Sequence, residues 1–171
     1  MSLTKYKKKR KFKETPEPVG KVEKQNFQRF VVQKHQARAL HFDFRLEMDG
    51  VLKSFAVPKG VPEKAGVKHL AVQVEDHPVE YINFSGVIPK GNYGAGKVEI
   101  WDKGKYELIE SKAKFYKFKL QGKKLDGVYV LFNFKGKNWF LFKTKQWNAN
   151  ILMHSNDTNK CEWVLFLVES V

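Results

Sequence analysis

Residues 41–48 read His41-Phe42-Asp43-Phe44-Arg45-Leu46-Glu47-Met48, apolar at every even position and polar at every odd one. A period of two marks a half-buried strand; a helix would scatter those apolar groups around its circumference. Asp49-Gly50 follows, then a second apolar-rich run, Val51-Leu52-Lys53-Ser54-Phe55-Ala56-Val57. Asp-Gly between two such runs suits the positive φ angles of a tight hairpin turn. The chain must therefore accommodate an antiparallel pair here, with Phe42, Phe44, Leu46 and Met48 turned toward a core.

The same reading extends in both directions. Residues 30–35 form a strand candidate ending at His35, and further candidates lie at 70–75, 97–101, 116–120, 128–134, 139–143 and 163–168. Turn-forming stretches separate them: Pro58-Lys59-Gly60, Pro89-Lys90-Gly91-Asn92, Asp102-Lys103-Gly104, Asp126-Gly127 and Lys135-Gly136-Lys137-Asn138. Many short strands at close spacing predict a mainly all-β antiparallel sandwich or barrel. Helix is scarce, with one short piece expected near residues 62–68 or 109–114. Within residues 151–171, the run at 163–168 reads either as a closing strand or as a tail. No internal repeat appears at a fixed period.

Charge divides the chain further. Its 171 residues hold 32 Lys+Arg against 18 Asp+Glu, a formal net charge of +14. Seven of those basic residues (Lys5, Lys7, Lys8, Lys9, Arg10, Lys11 and Lys13) fall in the first thirteen positions, which contain no acid. Glu14-Thr15-Pro16-Glu17-Pro18 then reads as an extended connection. Residues 1–18 are thus expected to form a basic arm, and 19–171 a single domain. A basic arm on a basic body points to a polyanion, nucleic acid before membrane, although a charge run is also compatible with a solvated tail or a targeting address. The lone Cys161 excludes an intrachain disulfide and suits a reducing, cytoplasmic setting; it reads as inert. No apolar run approaches the ~18–20 residues of a membrane span, and no secretory signal is visible.

The polar face of the first strand carries the chemistry. His41, Asp43, Arg45 and Glu47 share that face, and a solubility face would need only Lys, Thr and Glu. With His35, two imidazoles and a carboxylate suit zinc, manganese or iron with positions left open, and Arg45 would set a bidentate phosphate donor alongside. Spacing alone leaves purely structural histidines equally open. A second cluster, Gln73, Glu75 and His77, also shares one face; His77 reads either as an acid or phosphate contact or as a capping histidine. Lys53, Lys59, Lys68 and His69 are cations near enough in sequence to line a polyanion path or simply to be solvated. Gly91-Asn92-Tyr93-Gly94-Ala95-Gly96 lacks the ending of a P-loop and reads as a turn, with Tyr93 placed to pack over the site.

A longer pattern contains these residues. Phe30-Val31-Val32-Gln33-Lys34-His35, Ala37-Arg38, Leu40-His41, Asp43-Phe44-Arg45-Leu46 and Lys53-Ser54 through Lys59-Gly60 resemble the 3′-phosphoesterase domain of DNA ligase D and its free-standing relatives. The resemblance continues through Leu70-Ala71-Val72, Glu75-Asp76-His77-Pro78, Glu80-Tyr81, Gly91, Tyr93-Gly94-Ala95-Gly96 and Trp101-Asp102, and includes the lead-in Thr15-Pro16-Glu17-Pro18. It implies a small β-barrel with one or two short helices that uses a divalent metal, typically manganese, with zinc or cobalt as alternatives. The implied activity removes 3′-phosphates and 3′-terminal ribonucleosides from a primer strand, leaving a 3′-hydroxyl. By this resemblance His35, His41 and Asp43 are metal ligands, and Arg45 and His77 are catalytic. Arg10, Glu17, Gln33, Lys59, His69, Glu75 and Tyr81 fall on substrate-contacting or supporting positions. Lys11 stands where the family usually has Asp, and His69 where Arg is common.

The implied partners are DNA or RNA-tailed DNA 3′ ends and a separate DNA ligase or polymerase, with the protein expected to be a monomer. Two other readings compete. A non-haem iron oxygenase also uses two histidines and a carboxylate, but with its second histidine well downstream. A non-catalytic nucleic-acid-binding barrel would need charge and aromatics and no metal.

Overall fold

The computed structural model describes residues 2–145. Nine strands follow in chain order: β1 (Arg29–Gln36), β2 (Leu40–Met48), β3 (Val51–Val57), β4 (Lys68–Gln73), β5 (Gly86–Ile88), β6 (Gly96–Lys112), β7 (Phe115–Gln121), β8 (Asp126–Lys135) and β9 (Asn138–Lys143). They pair in the order β1-β2-β3-β4-β9-β8-β7-β6-β5, and β6 also pairs with β1. That last pairing closes eight antiparallel strands into a barrel and leaves β5 as a short flap on β6. Closure removes the free edges that an open sheet would expose. The strand candidate at residues 163–168 lies outside the described residues, as does Cys161.

Asp49 and Gly50 have φ of 54° and 76°, and Met48 pairs directly with Val51. This is the two-residue hairpin that the Asp-Gly pair predicts. The register it sets turns Phe44 and Leu46 into the barrel, where they meet Phe30, Val32, Phe55, Phe118, Leu120, Leu131 and Leu141. A one-residue slip would exchange that apolar set for Asp43 and Arg45, so the pattern specifies the register tightly.

The expected helix appears at neither site. Residues 109–112 continue β6 instead, and the register with β7 skips from Leu108↔Phe118 to Glu110↔Lys117. Ile109 is the extra residue of a β-bulge, which breaks the alternation and mimics a non-strand segment. Residues 62–67 are irregular: Ala65 bridges to Lys143, and the Gly66 amide donates to the Lys143 carbonyl at 3.1 Å. The helices among the described residues are a single turn, α1 (Thr4–Lys8), and a 3₁₀ turn at Val79–Asn83.

These two turns build a second layer outside the barrel. Tyr6, Tyr81, Ile82 and Phe84 pack on Val31, Leu52, Ile88 and Val98 in a separate apolar cluster. The outward face of β1 and β2 is therefore roofed rather than wet. Asp43 is 7% exposed and Arg45 3%, although alternation alone placed them on the solvent side. Covering that face requires every polar group on it to find a partner.

Candidate active site

Antiparallel pairing of β1 with β2 puts His35 opposite His41, Gln33 opposite Asp43, and Val31 opposite Arg45. Because β1 and β2 are joined by only three residues, the two histidines are cross-strand neighbours, with ring centroids 4.7 Å apart. Asp43 completes the group: donor atoms of His35, His41 and Asp43 all lie within 4.8 Å of one another.

The outer contacts of these rings fix which nitrogen faces inward. His35 Nε2 lies 2.9 Å from the Gly94 carbonyl and His41 Nδ1 lies 3.0 Å from the Ala39 carbonyl. A carbonyl only accepts, so each of these nitrogens carries the hydrogen and donates it. The lone pairs of His35 Nδ1 and His41 Nε2 are thereby left facing Asp43, at 3.5 and 3.8 Å from its carboxylate oxygens. Two imidazole lone pairs and a carboxylate converging on one point, with each ring oriented by a backbone carbonyl, fit a divalent ion of the zinc or manganese type.

Arg45 links this group to a second one. Its Nε donates to Gln33 Oε1 at 2.8 Å and its Nη2 to Asp43 Oδ2 at 3.0 Å, while Nη1 lies 2.9 Å from His77 Nδ1. Gln33 is held by donating its amide to the carbonyls of Tyr81 and Phe84 at 3.1 and 2.8 Å. Burial alone would raise the Asp43 pKa, but the Arg45 guanidinium beside it outweighs that and holds the carboxyl below its usual range.

His77 reaches the site through an isolated bridge between Leu52 and His77 outside the named strands. Its Nδ1 also lies 2.9 Å from the Glu75 carbonyl, and its Nε2 lies 3.0 Å from Arg10 Nη2. Burial first, then the Arg45 and Arg10 charges, push its pKa well below the ordinary 6.5, so the ring is neutral at pH 7.

Arg10 arrives from the N-terminal segment. It donates to Glu17 at 2.9 Å and to Glu75 at 3.0 Å, with the side chains of all three almost fully buried. Tyr81 donates its hydroxyl to the same Glu17 oxygen at 3.1 Å. Burial would raise the Glu75 pKa, yet hydrogen bonds from Lys9 and Arg10 outweigh it and keep the group ionised. Tyr6, which the sequence reading passed over, anchors this segment. It is fully buried, donates its hydroxyl to the Pro18 carbonyl at 2.6 Å, and stands edge-on to His77 at 5.0 Å. The available signal was an aromatic residue inside a lysine run, which a charge count overlooks.

The structure thus joins His35, His41, Asp43, Arg45, Gln33, His77, Glu75, Tyr81, Arg10 and Glu17 in one network. Lys59 and His69 stand outside it. His69 pairs with Leu141 on β9 and its Nδ1 lies 2.7 Å from the Gly60 carbonyl, which steadies the turn after β3. Lys59 is exposed on that turn, which the Phe42↔Val57 register sets beside the start of β2.

Residues 33–133, more than half of the chain, match the family model described as the DNA ligase D 3′-phosphoesterase domain. The chain belongs to this family. Over 162 residues it is 46% identical to the multifunctional non-homologous end joining protein LigD of Pseudomonas aeruginosa, covering 88% of the chain and 19% of that protein. The corresponding LigD protein of Mycolicibacterium smegmatis is 47% identical over 157 residues, covering 84% of the chain and 20% of that protein. The one from Mycobacterium tuberculosis is 44% identical over 153 residues, with the same shares. The chain therefore spans about a fifth of the length of the curated relatives it matches. In 3′-phosphoesterase domain terms, the matched stretch holds the His35–His41–Asp43 cluster, Arg45 and the Glu75–Tyr81 segment, while Arg10 and Glu17 lie before it. Among the described residues, no helix is long and apolar enough to cross a membrane.

Proposed function

We propose that the chain is a metal-dependent 3′-phosphoesterase that removes 3′-phosphates and 3′-terminal ribonucleosides from a primer strand, leaving a 3′-hydroxyl for end joining. One observation carries the reading: Arg45 contacts both Asp43 of the metal cluster and His77. A phosphate at that junction would meet a cation on each side and a buried imidazole between them.

His35, His41 and Asp43 would hold the divalent ion, with manganese the first choice. When bound, such an ion supplies Lewis-acid stabilisation of phosphoryl charge and lowers the pKa of coordinated water. The remaining work falls to the chain's own groups. Arg45, kept in plane by Gln33 and Asp43, presents Nη1 to the reacting phosphate and offsets the charge that builds there. Arg10 offers Nη2 from the opposite side.

His77 is under-served in its resting state. Both guanidiniums can only donate, and its Nδ1 lies within hydrogen-bond reach of the Glu75 carbonyl as well as of Arg45. If Nδ1 donates to that carbonyl, Arg45 Nη1 faces an N–H; if it accepts from Arg45, the carbonyl goes without. An incoming phosphate oxygen gives both guanidiniums an acceptor and resolves the conflict. Its negative charge also restores basicity to His77, which can then carry a proton on Nε2 and pass it to the leaving oxygen. Glu17, Glu75 and Tyr81 hold Arg10 in place, and Lys59 lies on the approach for the strand backbone. A separate ligase or polymerase would use the product end.

The test is a primer–template ending in a 3′-phosphate or a 3′-ribonucleotide, incubated with manganese, zinc or cobalt and resolved by length and end group. Loss of the 3′-phosphate that requires metal, and that disappears in Asp43→Ala, is expected. Salt-sensitive DNA binding with no end processing under any metal would instead favour the binding-module reading.

A further inference from the structure

Among the described residues, the rim of this site carries one exposed aromatic ring, Tyr93, 47% exposed on the glycine-rich turn before β6. Three contacts locate it. The next residue, Gly94, gives its carbonyl to His35 Nε2 at 2.9 Å, so the turn is tied to the metal cluster. Arg10 Cζ lies 5.4 Å from the Tyr93 ring centroid, so the ring also borders the His77 side. Lys9 Nζ donates to the Tyr93 hydroxyl at 3.1 Å and to Glu75 at 2.9 Å, and stands 4.3 Å from the ring centroid.

Tyr93 is about half exposed and belongs to neither apolar cluster. Here it is also held in orientation: Gly94 has φ of 77°, a backbone conformation that glycine adopts freely, and Lys9 grips the hydroxyl end of the ring. A fixed, partly exposed ring one residue from a metal-ligand contact suits a flat, apolar-faced ligand group. Any nucleobase presents such a face, whatever its sequence.

We propose that Tyr93 is the stacking platform for the base of the 3′-terminal nucleoside, the one bearing the phosphate that reacts. This inference rests on the 3′-end reading above and deepens it. It requires the terminal base to leave its duplex stack and lie against Tyr93, with Lys9 and Arg10 on the rim meeting the adjacent phosphates. The chemistry of this contact is indifferent to base identity, so it selects for an unpaired or frayed end and not for a sequence.

The test pairs protein and substrate changes. Steady-state kinetics with the full chain and manganese would compare wild type, Tyr93→Phe and Tyr93→Leu. The substrates are a 3′-phosphate primer with a normal terminal base and one whose terminal sugar is abasic. Stacking predicts that Tyr93→Leu raises KM about tenfold on the normal end. It also predicts that the loss vanishes on the abasic end, and that Tyr93→Phe, which keeps the ring but gives up the Lys9 contact, loses less than Tyr93→Leu on the normal end. An equal loss on both substrates, or no loss on either, would overturn the proposal. A terminal 2-aminopurine reports independently of catalysis: its fluorescence should be quenched on binding wild type and less so on binding Tyr93→Leu. If no 3′-phosphate is ever removed, the functional reading fails, while the 2-aminopurine signal still decides whether Tyr93 stacks.

Discussion

Arg45 Nη1 lies 2.9 Å from His77 Nδ1, and Nη2 of the same guanidinium donates to Asp43 at 3.0 Å. One planar group therefore fixes the spacing between the His35–His41–Asp43 cluster and the imidazole. Lysine keeps the charge and loses the fork. Arg45→Lys should lower kcat by about 10²–10³-fold, the loss typical of removing one aimed donor. The check is single-turnover removal of a 3′-phosphate; a decrease below threefold would deny Arg45 that role.

His41 is the member of the His35–His41–Asp43 cluster most open to water, its side chain 24% exposed, so its removal costs the fold little. His41→Ala should melt within a few degrees of the metal-free wild type. Wild type should gain stability on adding manganese, by about 2.7 kcal/mol when the free ion is at a hundred times its Kd, and the variant should not. Differential scanning calorimetry with and without the ion reads both effects.

His77 is buried with its pKa well below the ordinary 6.5. A depressed histidine means that the unfolded chain takes up a proton before the folded one does. Stability should therefore be full above about pH 6.5 and fall as the pH drops below it. His77→Asn should flatten that decline over pH 5–6.5, while the separate loss from Glu75, whose folded pKa lies below 4.5, should persist at lower pH. Melting temperatures across this range, at fixed ionic strength, decide the matter.

Tyr6 is fully buried between the N-terminal segment and His77. Tyr6→Phe should cost about 0.5–1.5 kcal/mol through the lost bond to Pro18. Tyr6→Ala should cost more, about 3–5 kcal/mol if the segment stays docked. Hydrogen exchange over residues 2–17 should rise sharply in Tyr6→Ala and little in Tyr6→Phe. Exchange unchanged in both would show that Tyr6 is not the anchor.

The barrel was largely legible because its signals are local. The alternation in residues 41–48 and the Asp-Gly turn specify the hairpin, and three residues between β1 and β2 are enough to bring His35 to His41. The roof over the site was not legible. Whether Asp43 and Arg45 face water depends on Tyr6 and Tyr81 folding back across them, and contacts between such distant segments leave no periodicity. The missed bulge at Ile109 has a similar origin: an extra residue in one strand is visible only against its partner. His69 shows another limit: its Nδ1 is engaged by the Gly60 carbonyl, a tertiary contact that its place in the sequence does not disclose.

The short connection between β1 and β2 also bears on the order of events in folding. His35, His41 and Asp43 belong to one hairpin, whereas the barrel closes only when Val98 of β6 finds His35. Local pairs of this kind form early, and distant ones wait for the loop between them to be ordered. An ion held by these three residues, as proposed above, would thus engage a nascent hairpin before the barrel exists, and manganese present during refolding should then speed the approach to the native state rather than merely secure it afterwards.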